Sequence, residues 1–258
     1  MSFIKLEKID RTAIVTLNRP KSLNAFNYQM LLDLEGVLEE LEKDPDIVVV
    51  IFTGAGEKSF SSGADLKERL TLTEEEVRRN VDKIREVFQK VADLPQPTIA
   101  AINGYAFGGG MELALSCDFR LAVKDVKLGL TETSWGIIPG AGGTQRLPRL
   151  IGEAKAKELI FTAKKLTAQT ALEYGIVMKV TEREELMKEC FHLANQMLEN
   201  GPIALRQAKY AINRGMETSL REGLEIEGRA YEATIPTEDR IEALRAFQEK
   251  RKPEFKGK

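Results

Sequence analysis

The sequence predicts an α/β fold that runs into a helical C-terminal part. Short runs such as residues 47–52 (IVVVIF) and 99–102 are apolar at every position, which marks strands covered on both faces. Between them lie longer segments whose apolar residues recur at helical spacing. From residue 181 onward the pattern is helical almost throughout. Strands alternating with helices imply parallel pairing through right-handed βα crossovers.

Taken in order, residues 14–17 (IVTL) read as a strand that ends at Asn18-Arg19-Pro20. Residues 27–43 read as a helix, because Met30, Leu31, Leu34, Val37, Leu38 and Leu41 share a face. Asp44-Pro45-Asp46 breaks it. The 47–52 strand follows, then a glycine-containing loop. A second helix spans 73–94, with Val77, Val81, Ile84, Val87, Phe88 and Val91 on one side, and Pro95 and Pro97 stop it. Residues 99–102 and 119–123 read as further strands. Helices are predicted at 183–199, 203–214, 218–233 and 237–249, separated by Gly201-Pro202, Gly215 and Pro236. The chain thus runs from an α/β core into a helical C-terminal part. The ending KRKPEFKGK is basic and reads as a loosely held tail.

Composition removes several functions. The chain has 258 residues, 43% hydrophobic and 30% charged, with 38 basic and 40 acidic side chains. A net charge of -2 gives a general nucleic-acid binder no basic patch. Cys117 and Cys190 belong to no CxxC, so zinc and redox motifs are absent and both thiols are expected free and buried. No apolar run reaches the roughly 20 residues a membrane span needs. The start MSFIKLEKID lacks the layout of a signal peptide. A cytoplasmic protein with no membrane partner is expected. The single histidine, His192, lies on an amphipathic segment, so a His-based triad has no support and a His metal site little. GAGEKS (54–59) does not satisfy the P-loop pattern. GAGGTQ (140–145) has Gln145 where a dinucleotide fingerprint needs glycine.

Three glycine-containing loops remain: 59–68 (SFSSGADLKE), 103–118 (NGYAFGGGMELALSCD) and 131–149 (TETSWGIIPGAGGTQRLPR). Each lies near a strand end or a helix start, where α/β folds place ligand sites. Any one of them is also explained as a simple turn. In the second, three glycines run into Met111, Leu113, Ala114 and Leu115, a buried-looking helix start. Unpaired first-turn N–H groups there can point at an anion or a polarised carbonyl. Glu112, one turn in, is either an acid that complements the helix dipole or a carboxylate perturbed by an apolar setting. The third loop adds Glu132, twenty positions on, with Gly129, Leu130, Trp135, Ile137 and Ile138 around it. Two carboxylates in one apolar pocket can divide acid and base roles, but spacing alone does not bring them together.

Several long motifs in order then carry a resemblance: NRPKSLNAF, SSGADLKE, PTIAAINGYAFGGGMELALSCDFRLA, IIPGAGGTQRLPRLIG and KELIFTAKKLTAQTALEYGIV. The chain resembles the crotonase, or enoyl-CoA hydratase/isomerase, family nearly end to end. The resemblance implies a crotonase-like spiral of ββα units with a C-terminal helical region, here 201–258, that builds trimers, often paired into hexamers. It implies an oxyanion hole from the N–H groups of Ala64 and Gly109, each donor worth about 3–4 kcal/mol of transition-state stabilisation. It implies that Glu112 takes a proton from the attacking water and Glu132 delivers one to the α-carbon, since both acids of a hydratase are kept. The substrate is then an acyl-CoA thioester, with no separate cofactor and no metal. Ser22, Leu23, Ala25, Ser62, Ala64, Asp65, Leu66, Lys67, Gly109 and Gly140 are the implied substrate contacts. Lys21 or Arg19 meets a CoA phosphate or is simply solvated.

One branch is especially similar, the methylglutaconyl-CoA hydratases that also bind AU-rich RNA. It shares ADLKER, LGLTETSWGIIPG and TIPTEDRIEALRAFQEKRKPEFKG. RNA binding in that branch goes with a lysine-rich first helix. The matching stretch here, LLDLEGVLEELEKDPD, is acidic, which argues against a nucleic-acid partner. The expectation is therefore hydration of a trans-2-enoyl-CoA to a 3-hydroxyacyl-CoA. The alternatives are methylglutaconyl-CoA hydration, double-bond isomerisation and a noncatalytic RNA-binding homologue.

Overall fold

The computed structural model describes residues 2–258. Strands β1 (Ile4–Ile9) and β2 (Thr12–Leu17) form an antiparallel hairpin. Helix α1 (Tyr28–Lys43) starts where Asn27 accepts the Met30 N–H at 3.0 Å, a side-chain cap for an otherwise orphaned donor. Its Met30, Leu31, Leu34, Leu38 and Leu41 are buried, as their spacing requires.

The chain then makes three similar passes. The first is β3 (Val49–Gly54), β4 (Ser59–Ser61), α2 (Leu66–Arg69) and α3 (Glu74–Asp93). The second is β5 (Thr98–Ile102), β6 (Tyr105–Phe107) and α4 (Gly109–Ser116). The third is β7 (Phe119–Val123), β8 (Lys127–Gly129), a 3-10 turn over Glu132–Trp135, α5 (Gly143–Ile151) and α6 (Glu153–Phe161). Each pass leaves one strand in each of two sheets and closes with helix, which is the ββα spiral. After it come β9 (Leu166–Thr167), α7 (Ala168–Glu173), β10 (Lys179–Thr181), α8 (Leu186–Leu198), α9 (Pro202–Gly215), α10 (Leu220–Glu232) and α11 (Glu238–Glu249).

The larger sheet has the order β1-β2-β3-β5-β7-β10, parallel from β2 onward. Its central residues, among them Ile51, Phe52, Ile99 and Ile102, are fully buried. Layers cover both faces, as the unbroken apolar runs predict. Phe26 of the connection before α1 meets Phe88 of α3 edge-on, with centroids 5.2 Å apart. The smaller sheet has the order β4-β6-β8-β9, with β4, β6 and β8 parallel. Those three strands have three residues each, too few for a periodicity to register, and the sequence does not announce them. Their parallel pairing is what places the site: the C-terminal ends of β4, β6 and β8 form a ledge.

Two details depart from expectation. The helix expected from residue 183 begins as a 3-10 turn, Arg183–Glu185, before α8. The basic tail is not loosely held. The Asp239 carboxylate accepts the N–H groups of Lys256 (2.7 Å) and Gly257 (2.9 Å), and Arg11 donates to the Phe255 carbonyl. Backbone hydrogen bonding to a buried carboxylate outweighs the tail's own charge repulsion. Among the described residues, no helix is long and apolar enough to cross a membrane.

Candidate active site

Ala64 lies three residues past β4, Gly109 two past β6, and Glu132 three past β8. Since these strands are neighbours in one parallel sheet, segments far apart in sequence meet at the ledge. Gly108 N–H donates to the Gly129 carbonyl at 3.0 Å, tying the end of β6 to the end of β8.

The glycine run before Glu112 does several jobs. Gly108 has φ 51° and ψ -124°, a conformation essentially restricted to glycine, and a Cβ there would stand 3.3 Å from Glu132 Oε1. Gly110 lies against β4 so closely that a Cβ would meet the Ser61 carbonyl oxygen at 2.1 Å. Gly109 begins α4, and among the described residues its N–H has no acceptor. The Ala64 N–H has none either. The reason lies in its bridge to Phe26: Phe26 N–H donates to Gly63 O and Asp65 N–H to Phe26 O, at 2.8 and 2.9 Å. That alternation turns the Ala64 N–H the other way. Ala64 N lies 3.7 Å from where a Gly109 Cβ would be. Two unpaired backbone donors therefore stand side by side, a geometry suited to a carbonyl oxygen that gains negative charge.

Glu112 is only 3% exposed, on a helix buried along its whole length. Its Oε1 accepts the N–H groups of Ala141 and Gly143, both at 2.8 Å, at the N-terminal end of α5. Burial pushes the carboxyl above its ordinary range; the two N–H donors and the charges of Arg146 and Arg85 oppose that rise. Glu132 sits at the start of its 3-10 turn, with Oε2 buried and unpartnered. Burial first, then the nearby Glu112 charge, push it up to about 7. So the fold brings both acids within electrostatic reach, one held by two donors and one left free to carry a proton.

The apolar neighbours of Glu132 do not all close around it. Leu130 is buried, but Trp135, Ile137 and Ile138 are 64%, 42% and 69% exposed. The αL residue Gly136 reverses the chain there and turns them outward as an apolar lip.

The remaining expected contacts fall into two groups. Leu23 O accepts the Ser62 N–H at 3.0 Å, so the turn carrying Ser22, Leu23 and Ala25 is stitched to the loop carrying Ser62, Ala64 and Asp65. Leu66 and Lys67 are exposed on α2. The Asp65 carboxylate caps α2 and pairs with Arg19 at 2.9 Å. Arg19 also donates to Ala25 O and lies 5.1 Å over the Phe3 ring; it is a structural clamp, not a free cation for a phosphate. Gly140 O accepts from Arg85 Nε at 3.1 Å. Ala141 and Gly143, which hold Glu112, escaped notice in the sequence. The signal was present: GAGGTQ is a second glycine run entering a helix.

Cys117 and Cys190 are free and buried, and burial pushes both thiols up to about 12, too high for nucleophiles. Among the described residues, no group of three His, Cys, Asp or Glu is placed to hold a metal ion. A cavity of about 1120 Å³ lies behind the 139–143 turn, against Arg85, Arg146, Ile212 and Met216, and its walls include neither glutamate.

The family profile described as enoyl-CoA hydratase/isomerase matches residues 8–258. The chain belongs to this family. It is similar to a short-chain-enoyl-CoA hydratase of Clostridium acetobutylicum, 46% identical over 98% of this chain and 97% of that one. It is also similar to the human mitochondrial methylglutaconyl-CoA hydratase, 45% identical over 98% of this chain and 76% of the relative. Among solved structures, the enoyl-CoA hydratase of Bacillus anthracis superposes with a TM-score of 0.97, at 48% identity and full coverage of both chains. In this enoyl-CoA hydratase/isomerase chain, both glutamates and both unpaired N–H groups occupy one ledge.

Proposed function

We propose that the protein is an enoyl-CoA hydratase, a lyase that adds water across the 2,3 double bond of a trans-2-enoyl-CoA. The observation that carries the reading is the pair of unlike carboxylates beside the two unpaired N–H groups of Ala64 and Gly109. In this reading the thioester oxygen lies between those donors, which stabilise the enolate charge as it forms. Glu112, held at one oxygen by Ala141 and Gly143, takes a proton from water as it attacks the β-carbon. Glu132 gives its proton to the α-carbon. CoA enters as part of the substrate along the 22–25 turn and α2, and no separate cofactor takes part.

The reading includes assembly into trimers or hexamers through residues 201–258, with residues 1–200 as the catalytic core. Its support is the exposure of Met216, Leu220, Leu224, Tyr231 and Phe247 on the last helices and the turn after α9. Cytoplasmic location fits the two unpaired cysteines.

The test is loss of the conjugated double-bond absorbance of crotonyl-CoA, with product oxygen drawn from heavy-oxygen water. Oxygen incorporation identifies hydration; a moved double bond without it identifies isomerisation; no change with any enoyl-CoA removes the reading. A carboxylated acyl group is favoured by one observation. Arg69, half-buried in α2 and close enough for its charge to act on Glu132, makes no side-chain hydrogen bond among the described residues. Comparing rates with crotonyl-CoA and methylglutaconyl-CoA, in the native protein and in Arg69→Met, decides between the two acyl classes.

A further inference from the structure

Glu112 is held by a turn, and the turn is itself held from behind. Arg85 of α3 donates through Nε to the Gly140 carbonyl at 3.1 Å. That carbonyl belongs to the same peptide unit as the Ala141 N–H, which donates to Glu112 Oε1 at 2.8 Å. A hydrogen bond to one end of a peptide unit polarises the other and strengthens the bond made there. Arg146 of α5 donates to the next carbonyl, Ala141 O, at 3.0 Å. Its other terminal nitrogen donates to Gln89 Oε1 at 2.8 Å, and Gln89 Nε2 donates to Asp93 at 3.0 Å. The turn is shaped around this guanidinium: Gly142 has φ 108°, and a Cβ there would fall on the Arg146 terminal nitrogen.

We propose that Arg146 and Arg85 are positioning residues for Glu112, a cationic brace behind the 139–143 turn that aims its N–H groups at the carboxylate and favours the anion. The proposal rests on the assignment of Glu112 as the base. Two helices grip one turn from outside, and neither arginine touches the acid it governs. The groups facing Glu112 are Glu132 from the 3-10 turn, Arg146 from α5 and Arg85 from α3, with Arg69 of α2 acting on Glu132. Asp82 pairs with Arg85 at 3.3 Å, and the Asp93 charge acts on Arg146. Arg146 is the stronger member, because Arg85 has a side chain 59% exposed to solvent and is screened.

The sign of the effect is fixed by the chemistry. A base works above its pKa, and removal of a nearby cation raises a carboxyl pKa. Arg146→Met therefore moves the acid limb of kcat/KM to higher pH by about one unit. It lowers kcat roughly 10- to 100-fold through loss of alignment, while KM stays within about threefold. Arg146→Lys returns the acid limb toward its native position without restoring kcat, since an ammonium cannot hold Ala141 O and Gln89 in one plane. Arg85→Met gives the same changes, smaller. A merely structural role lowers the melting temperature and leaves the pH profile of the folded enzyme unmoved, which overturns the proposal.

Titration of isotope-labelled glutamate carboxyls by NMR, with Glu112 assigned by its loss in Glu112→Gln, needs no turnover. An upward Glu112 midpoint in Arg146→Met supports the brace, and an unchanged one overturns it, whether or not the protein hydrates enoyl-CoA. If Arg146→Met does not fold, Gln89→Leu and Arg85→Met carry the same test: upward shifts support the brace, and unmoved midpoints in both remove it.

Discussion

Glu112 and Glu132 stand a few residues past neighbouring strand ends, yet their surroundings are opposite. Glu112 is sealed inside a helix and accepts two N–H groups at 2.8 Å. Glu132 opens a 3-10 turn with an exposed apolar lip, and one of its buried oxygens has no partner. Burial raises both carboxyls, but at Glu112 two N–H donors oppose the rise, while at Glu132 the nearby Glu112 charge adds to it. A base and an acid can thus be made from the same side chain by what surrounds it.

The largest break in that contrast is Glu112→Gln. It removes the proposed base and leaves the ledge intact, so kcat is expected to fall about 10³- to 10⁴-fold. Binding of a saturated acyl-CoA, read by calorimetry, stays near the native value. Glu132→Gln is expected to cost about 10²- to 10³-fold, because water can still deliver a proton more slowly. The same substitution sharpens the contrast through pH. Glu132 keeps its proton up to about 7, against an ordinary value of 4.5. If Glu132 is the proton donor, as proposed, activity of the native protein declines as pH rises through about 7. A carboxyl raised on folding also stabilises the fold below its unfolded value, and that stabilisation disappears as pH rises through the folded one. The melting temperature should slope downward between about pH 4.5 and 7 in the native protein and be flatter across that window in Glu132→Gln.

The smallest break compares two adjacent glycines. Gly108→Ala forces a side chain into a glycine-only conformation beside Glu132 and should cost about 1–3 kcal/mol in chemical denaturation. Gly109→Ala places its Cβ 3.2 Å from the terminal methyl of Ile84, a flexible neighbour, and keeps its N–H. It should cost about 1 kcal/mol, with kcat nearer native than in Gly108→Ala. Equal losses would mean that the run acts as a flexible hinge rather than as separately specified positions.

The sequence makes some of this legible. Helices α1 and α3 and strands β3 and β5 follow from period and unbroken apolar runs. The burial of Glu112 follows from Met111, Leu113 and Leu115 around it. Its partners do not, because Ala141 and Gly143 reach it only once α5 packs against α4. The convergence of Glu112 with Glu132 depends on β4, β6 and β8, strands too short to leave a pattern. Trp135, Ile137 and Ile138 are expected around Glu132, but hydrophobicity alone does not tell which way a left-handed turn at Gly136 will point them.

The ledge has a further consequence for how such a protein can change. Ala64, Gly109 and Glu132 each follow a separate strand, and the sheet beneath is held together by backbone pairing. A substitution in the turn after β8 can replace the acid while leaving the two N–H groups after β4 and β6 in register. In the proposed mechanism, thioester capture and proton delivery are thus separately inheritable, and drift in one strand's loop can redirect the reaction without rebuilding the cradle.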